Sequence, residues 1–270
     1  MISACFFAGA TGWSFLSWLI GRKAKGRCVI LYYHCILPAH RSRFASQMDL
    51  LLRRAIPVSV DRSQPLAAGK HYAAVTFDDG FASVAEQALP ELIKRGIPAT
   101  IFVTSDLLGQ TPEWNGYPDR FMSLDELRAL PADLVTLGSH TQTHPFLPRL
   151  NEREARDEIS LSRAKLAQMF GREFTLFAFP YGAFNNSLIH ICRESGYQRI
   201  FTTLPYVAEL GFEEFVSGRV SAEPTDWQVE FYLKLYGAYR WLPTVSGAKK
   251  RLKSMFISSA VDQRLRPQSP

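Results

Sequence analysis

The stretch AAVTFDDGFASV, residues 73–84, sets two adjacent carboxylates, Asp78 and Asp79, between an apolar run and a glycine. An apolar run bounded by a turn signal reads as a buried strand, so the two charges fall where that strand ends. The same pattern recurs along the chain. Strand candidates CVILYY, PVSV, AAVTF, ATIFV, LVTLG, FTLFAF, RIFTT and a short one near FVSGRV alternate with amphipathic segments at about 43–54, 83–95, 123–130, 151–170, 186–195 and 226–241. Ser123 with Glu126, and Asn151 with Glu154, have the spacing of capping boxes and mark two helix starts, while Gly96 and Gly171 mark two helix ends. The alternation predicts an α/β fold with mostly parallel strands. Seven or eight strands with interleaved helices, over roughly 220 residues, match the size of a barrel whose chemistry sits where its strands end.

Composition agrees with one large globular domain: of 270 residues 47% are hydrophobic and 21% charged, with no repeat or low-complexity tract. The four cysteines, Cys5, Cys28, Cys35 and Cys192, form no C-x-x-C pair, which argues against a disulfide framework or a structural zinc site and fits reduced thiols in a cytosolic setting. The formal charge of +6 is concentrated at the ends, because ten of the 31 basic residues lie in 22–27 and 249–266. Residues 28–248 hold 21 basic and 24 acidic side chains, which excludes a basic nucleic-acid groove. Residues 1–20 carry no charge and are followed at once by GRKAKGR, the reverse of a cleavable signal peptide, so export by that route is not expected. Two readings of 1–20 stay open: a membrane anchor or interfacial helix with its basic cluster on the cytoplasmic side, or a helix packed on the body. The expected organisation is an N-terminal segment 1–27, a barrel 28–248 and a basic tail 249–270.

Polar, metal-competent side chains follow the strand candidates in turn: His34 after VILYY, Asp78 and Asp79 after AAVTF, His140 and His144 after LVTLGS, and Pro180-Tyr181-Gly182 after FTLFAF. A lone Asp-Asp pair before glycine is ordinarily a turn or a helix cap, and H-x-x-x-H without a glutamate after the first histidine is a weak zinc signal. Their convergence at successive strand ends changes that reading. Two histidines and a carboxylate form a facial set for a divalent transition metal with positions left open for water and substrate. One carboxylate of the pair can then bind the metal while its neighbour serves as a base, the cation making adjacent charges tolerable.

TFDDG at 76–80, HTQTH at 140–144 and FAFPYG at 177–182 resemble, in order and spacing, the first three motifs of the NodB-type polysaccharide deacetylases of carbohydrate esterase family 4. The resemblance implies a distorted (β/α) barrel, a zinc-like divalent metal with cobalt or nickel as substitutes, and hydrolysis of N-acetyl groups on amino sugars. It assigns Asp78 as catalytic base, Asp79, His140 and His144 as metal ligands, and the backbone N–H of Tyr181, beside Pro180 in the sugar site, as oxyanion donor. Two departures follow. The family's late catalytic histidine has no counterpart after His190, which falls inside a helix candidate and reads as solvated or packed. LYYHCI at 31–36 instead resembles the N-terminal Tyr-His segment of the circularly permuted branch, typified by poly-N-acetylglucosamine deacetylases, and makes His34 the candidate general acid. The third motif also lacks its initial arginine; Arg219, beside a short strand, is the candidate to hold Asp78 ionised, with a surface arginine as the alternative. Asp226-Trp227 matches only the end of the fourth motif, and Trp227 either lines the sugar site or opens an aromatic packing helix.

The function expected is thus metal-dependent N-deacetylation of a glycan or its lipid-linked precursor. The rivals are an O-acetyl esterase on the same site, a deacetylase of a non-sugar amide, and a silent glycan-binding barrel.

Overall fold

The computed structural model describes residues 27–62, 65–111, 119–205 and 214–239. The apolar segment 1–20, the basic cluster apart from Arg27, and the tail 249–270 lie outside the described residues. No helix among the described residues is long and apolar enough to cross a membrane.

In chain order the elements are β1 (Arg27–Tyr33), α1 (Arg41–Arg54), β2 (Ile56–Pro57), β3 (His71–Phe77), a π-helical stretch Val84–Ala88 continuing into α2 (Leu89–Arg95), β4 (Ala99–Val103), α3 (Leu124–Arg128), β5 (Val135–Ser139), α4 (Glu152–Phe170), β6 (Leu176–Ala178), α5 (Asn186–Glu194), β7 (Arg199–Phe201), β8 (Val216–Ser217), β9 (Val220–Ser221) and α6 (Gln228–Leu235). The strands form one sheet in the order β8-β7-β6-β5-β4-β3-β1-β9, with β2 also on β3, and every pair is parallel. β8 and β9 therefore end the sheet at opposite edges although only Gly218 and Arg219 separate them in sequence. The sheet has to curl until those two residues bridge its edges, and the result is a distorted, incomplete barrel. The expected short strand near FVSGRV is in fact two strands, split where the chain changes edges, which raises the number among the described residues to nine.

Strand parity decides what lies inside. Cys28 and Ile30 of β1, Tyr72 and Ala74 of β3, Phe102 of β4, Leu176 and Ala178 of β6 and Phe201 of β7 form one apolar cluster. Their alternate neighbours Val29, Leu31 and Tyr33, Ala73, Val75 and Phe77, and Ile101 and Val103 pack with α1 and α2 in another. Side chains on a strand point to opposite faces in turn, so the first set fills the curl and the second meets the helices. Gly138 makes room for that filling, since a Cβ there would stand 2.6 Å from the Phe102 ring.

The helices start where local chemistry says they should. Ser123 and Asn151 each accept the N–H three residues on, from Glu126 and Glu154, and both glutamates bond back to complete the capping boxes. Gly96 and Gly171 close α2 and α4 in the left-handed conformation. α6 starts after Trp227, whose side chain makes no capping hydrogen bond.

Candidate active site

Counting by twos along β3, Tyr72, Ala74 and Thr76 face the interior, and Asp78 continues the series one step past the strand. Asp78 is 3% exposed. Burying a charge there requires a partner, and Arg219, from the link between β8 and β9, supplies one. Its guanidinium is fully buried and grips Asp78 with two bonds, Nη1 to Oδ1 at 2.6 Å and Nη2 to Oδ2 at 2.8 Å. Nη1 also reaches the Thr76 hydroxyl, and the Tyr32 and Phe102 rings lie 4.9 and 5.2 Å from the guanidinium carbon. The surface alternative for Arg219 is thereby excluded. Burial alone would raise the Asp78 pKa, but the charge of Arg219, with lesser help from His140 and its own hydrogen bonds, brings it down to about 2.

Asp79 turns away from that series through a left-handed backbone, φ 68°. Its Oδ1 lies 3.6 Å from His140 Nε2 and 3.3 Å from His144 Nε2, and the three donor atoms all fall within 4.8 Å of one another. Bonds of about 2.0–2.2 Å to one tetrahedral ion would separate its ligands by roughly 3.3–3.6 Å, so the spacing suits a zinc-sized cation. Chemistry agrees with spacing. Asp79 Oδ1 is buried with no hydrogen-bond partner, an orphaned acceptor of the sort a cation satisfies. His140 Nδ1 lies 2.8 Å from the Ala178 carbonyl, and donating to it leaves the Nε2 lone pair facing Asp79. Burial lowers the His140 pKa to about 4 and, with the charge of His140, that of His144 to about 3, so both rings are neutral donors at pH 7. Burial and the charge of Asp78 raise Asp79 to about 8, and a bound cation would displace that proton.

The His140–His144 loop is wound tightly. Thr141 and His144 both have positive φ, 71° and 61°, and the His144 N–H bonds to the Thr141 hydroxyl at 3.0 Å. Tyr181, φ 57°, is the fourth non-glycine residue in this conformation among those described, and its ring centroid lies 4.7 Å from that of His144. Each such residue costs about 1–3 kcal/mol, and all four gather at one rim. The N–H groups of Gly182 and Ala183 close the turn onto Phe179 and Pro180, and that of Tyr181 takes no part in it.

His34 follows β1, whose register partner is β3, and the Asp78 N–H bonds to the Tyr33 carbonyl at 2.9 Å, so His34 and Asp78 leave adjacent strands side by side. Burial lowers the His34 pKa while the charge of Asp78 opposes the shift. Three expected site residues and His190 remain. Pro180 is buried at the start of its turn, where its fixed φ shapes the chain that carries Tyr181. Asp226 is held by Lys234 at 2.6 Å and by the Glu223 N–H at 3.0 Å. Trp227, 78% exposed, is not packed as the start of a core helix and borders a separate cavity between α1 and α6. His190 is solvated on α5, 3.1 Å from Glu194. Sequence reasoning missed Thr76 and Glu158, which support Arg219 and the His140–His144 loop from distant positions.

Residues 66–200, half of the chain, match the family model for polysaccharide deacetylase. The chain belongs to the polysaccharide deacetylase family. The match takes in Asp78, Asp79, His140, His144 and Tyr181 but neither His34 nor Arg219. Two relatives from Bacillus subtilis (strain 168) are YxkH, which carries a polysaccharide deacetylase name and is 26% identical over 150 residues, and the peptidoglycan-N-acetylmuramic acid deacetylase PdaC, 25% identical over 138. These matches cover 56% and 48% of this deacetylase-family chain, and it spans 51% of YxkH and 26% of PdaC. Among solved structures, IcaB from Ammonifex degensii superimposes with a TM-score of 0.67 at 25% identity, over 80% of this chain and 98% of its own. The Streptococcus pyogenes deacetylase PplD, solved with acetate, gives 0.65 at 19% identity over 78% and 99%, a likeness of fold. The likeness to IcaB extends beyond the family match and agrees with the permuted arrangement that the N-terminal Tyr-His segment implies.

Proposed function

We propose that this chain hydrolyses N-acetyl groups on the amino sugars of a glycan or its lipid-linked precursor, with a divalent cation, zinc by default, held by Asp79, His140 and His144. The observation that carries the reading is the division of labour between adjacent carboxylates. Asp78 is clamped and ionised by Arg219, and Asp79 offers a partnerless oxygen to two neutral imidazoles. When bound, the cation would supply Lewis acidity, polarising the acetyl carbonyl and making water acidic enough for so weak a base as Asp78. Asp78 accepts the water's proton as the water attacks. The Tyr181 N–H donates to the oxygen on which negative charge gathers. Asp78 passes that proton on to His34, which delivers it to the departing nitrogen. Arg219 keeps Asp78 charged and in place without touching substrate.

An O-acetyl ester is the second reading, favoured by one observation: burial makes His34 less readily protonated, and an ester makes a smaller demand on the acid. Zinc-loaded protein assayed for acetate release from N-acetylglucosamine oligomers, from a lipid-linked N-acetyl amino sugar and from O-acetylated sugars decides the matter. Release from the N-acetyl substrates is expected. Release from O-acetyl sugars alone transfers the site to the esterase reading, and release from none of them defeats both.

A further inference from the structure

α4 holds the His140–His144 loop from behind, through the Asp157 carbonyl, which accepts from Gln142 Nε2 at 3.1 Å, and chiefly through the side chain of Glu158. Glu158 Oε2 accepts the N–H groups of Gln142 at 2.9 Å and Thr143 at 3.0 Å, while Oε1 accepts the Thr143 hydroxyl at 2.7 Å. A carboxylate only accepts, and here three donors from two consecutive residues converge on it. Further along the same helix the Ser162 hydroxyl meets that of Ser139, the residue before His140, at 2.7 Å, and Lys165 pairs with Asp106 at 2.6 Å. The Asp106 and Ser105 N–H groups in turn bond to the carbonyls of Gln142 and Thr141, each at 3.1 Å. Positions 158, 162 and 165 follow the i, i+4, i+7 spacing of one helix stripe. α4 buries Ala155, Ile159, Ser162 and Leu166 against the body, and beside that stripe Glu158 and Lys165 reach the His140–His144 loop and the neighbouring Asp106.

The two histidines do not depend on this support equally. His140 directly follows β5 and has its own anchor in the Ala178 carbonyl, whereas the backbone of His144 is tied to Thr141 within the loop itself. Both Thr141 and His144 are left-handed without being glycine, a winding that persists only while surrounding bonds impose it. We infer that Glu158 is a positioning residue for the metal centre: through the loop it fixes His144 and sets how tightly the chain retains a divalent cation. The inference rests on the metal reading given above.

The test compares full-length wild type with Glu158→Ala, Glu158→Gln and a control on the same helix, Arg156→Ala, whose side chain pairs with Glu152 and Glu194 rather than with the loop. Zinc and cobalt affinities are measured by competition with a chromophoric chelator, the visible spectrum of the cobalt form reports the ligand set, and thermal unfolding of the metal-free proteins reports the fold. Glu158→Ala is expected to bind about 10–100-fold more weakly. Its cobalt absorption should also weaken as one imidazole gives way to water. Glu158→Gln keeps one acceptor oxygen and should fall between, and it carries the test where the alanine variant does not fold. Arg156→Ala should bind as wild type does. A merely structural Glu158 would lower unfolding temperature while leaving the affinity and cobalt spectrum of the folded protein unchanged, and that result overturns the inference alone. Wild type that takes up neither ion defeats the metal reading and this inference with it.

Discussion

The two ends of the strands use the same backbone conformation for different purposes. At the ends of α2 and α4, where the chain turns back toward β4 and β6, Gly96 and Gly171 are left-handed at φ 62° and 64°. A Cβ at either would meet nothing within 4 Å, so glycine serves there only to make the conformation easy. At the opposite rim Asp79, Thr141, His144 and Tyr181 hold φ between 57° and 71° with their side chains in place. The chain accepts strain where side chains must be aimed and avoids it where the backbone merely turns.

The comparison is tested hardest at the carboxylates. Asp78→Asn keeps the shape but loses the proton acceptor, so turnover should fall about 10²–10⁴-fold while zinc content, read by atomic absorption, stays near that of wild type. Loss of zinc instead would exchange the roles of Asp78 and Asp79. Next in size is Arg219→Met, which leaves a buried carboxylate without its countercharge and should cost about 3–5 kcal/mol of stability by denaturant titration. In the same variant burial, no longer offset by the guanidinium charge, pushes the Asp78 pKa up from about 2, so less of it is ionised at any given pH. The acid limb of kcat/KM must then move to higher pH, and an unmoved limb would mean that Asp78 is not the titrating base. The smallest effect separates the two ends directly. Gly96→Ala should cost about 1–2 kcal/mol and leave acetate release unchanged. Gly80→Ala should cost more and impair release, because its Cβ would stand 2.8 Å from Val103 Cγ1 beside Asp79. Equal behaviour of the two variants would remove the distinction.

How much of this was legible beforehand depends on how local each signal is. The capping boxes at Ser123 and Asn151 and the glycine stops at 96 and 171 are written within a few residues, and the structure carries them as expected. So too is the placement of Asp78, His140 and Tyr181, which needs only the strand that precedes each. Arg219 was visible as a candidate but not as a buried one, because its burial depends on β8 and β9 joining opposite edges of the sheet, and two-residue strands carry no periodicity. Glu158 lies 15 residues from Thr143 and looks like any charged residue on a helix surface. Asp226 and Trp227 rest on the end of a motif, and solvent access, which a motif does not encode, separates them, Asp226 being enclosed by Lys234 and Trp227 exposed.

The two-residue link between the edge strands also bears on the order in which the protein becomes itself. Asp78 and Arg219 are 141 positions apart, so a nascent chain completes β3 long before the arginine has been synthesised. Until β8 and β9 dock, the carboxylate has no buried cation to meet and cannot be sealed inside the curl without a proton. Contacts of such long range are slow to form, since loop closure must precede any reward from them. Asp78 therefore acquires its charge-holding partner in the same event that closes the sheet, and a chain arrested before Arg219 would contain Asp79, His140 and His144 without an arginine-paired carboxylate beside them.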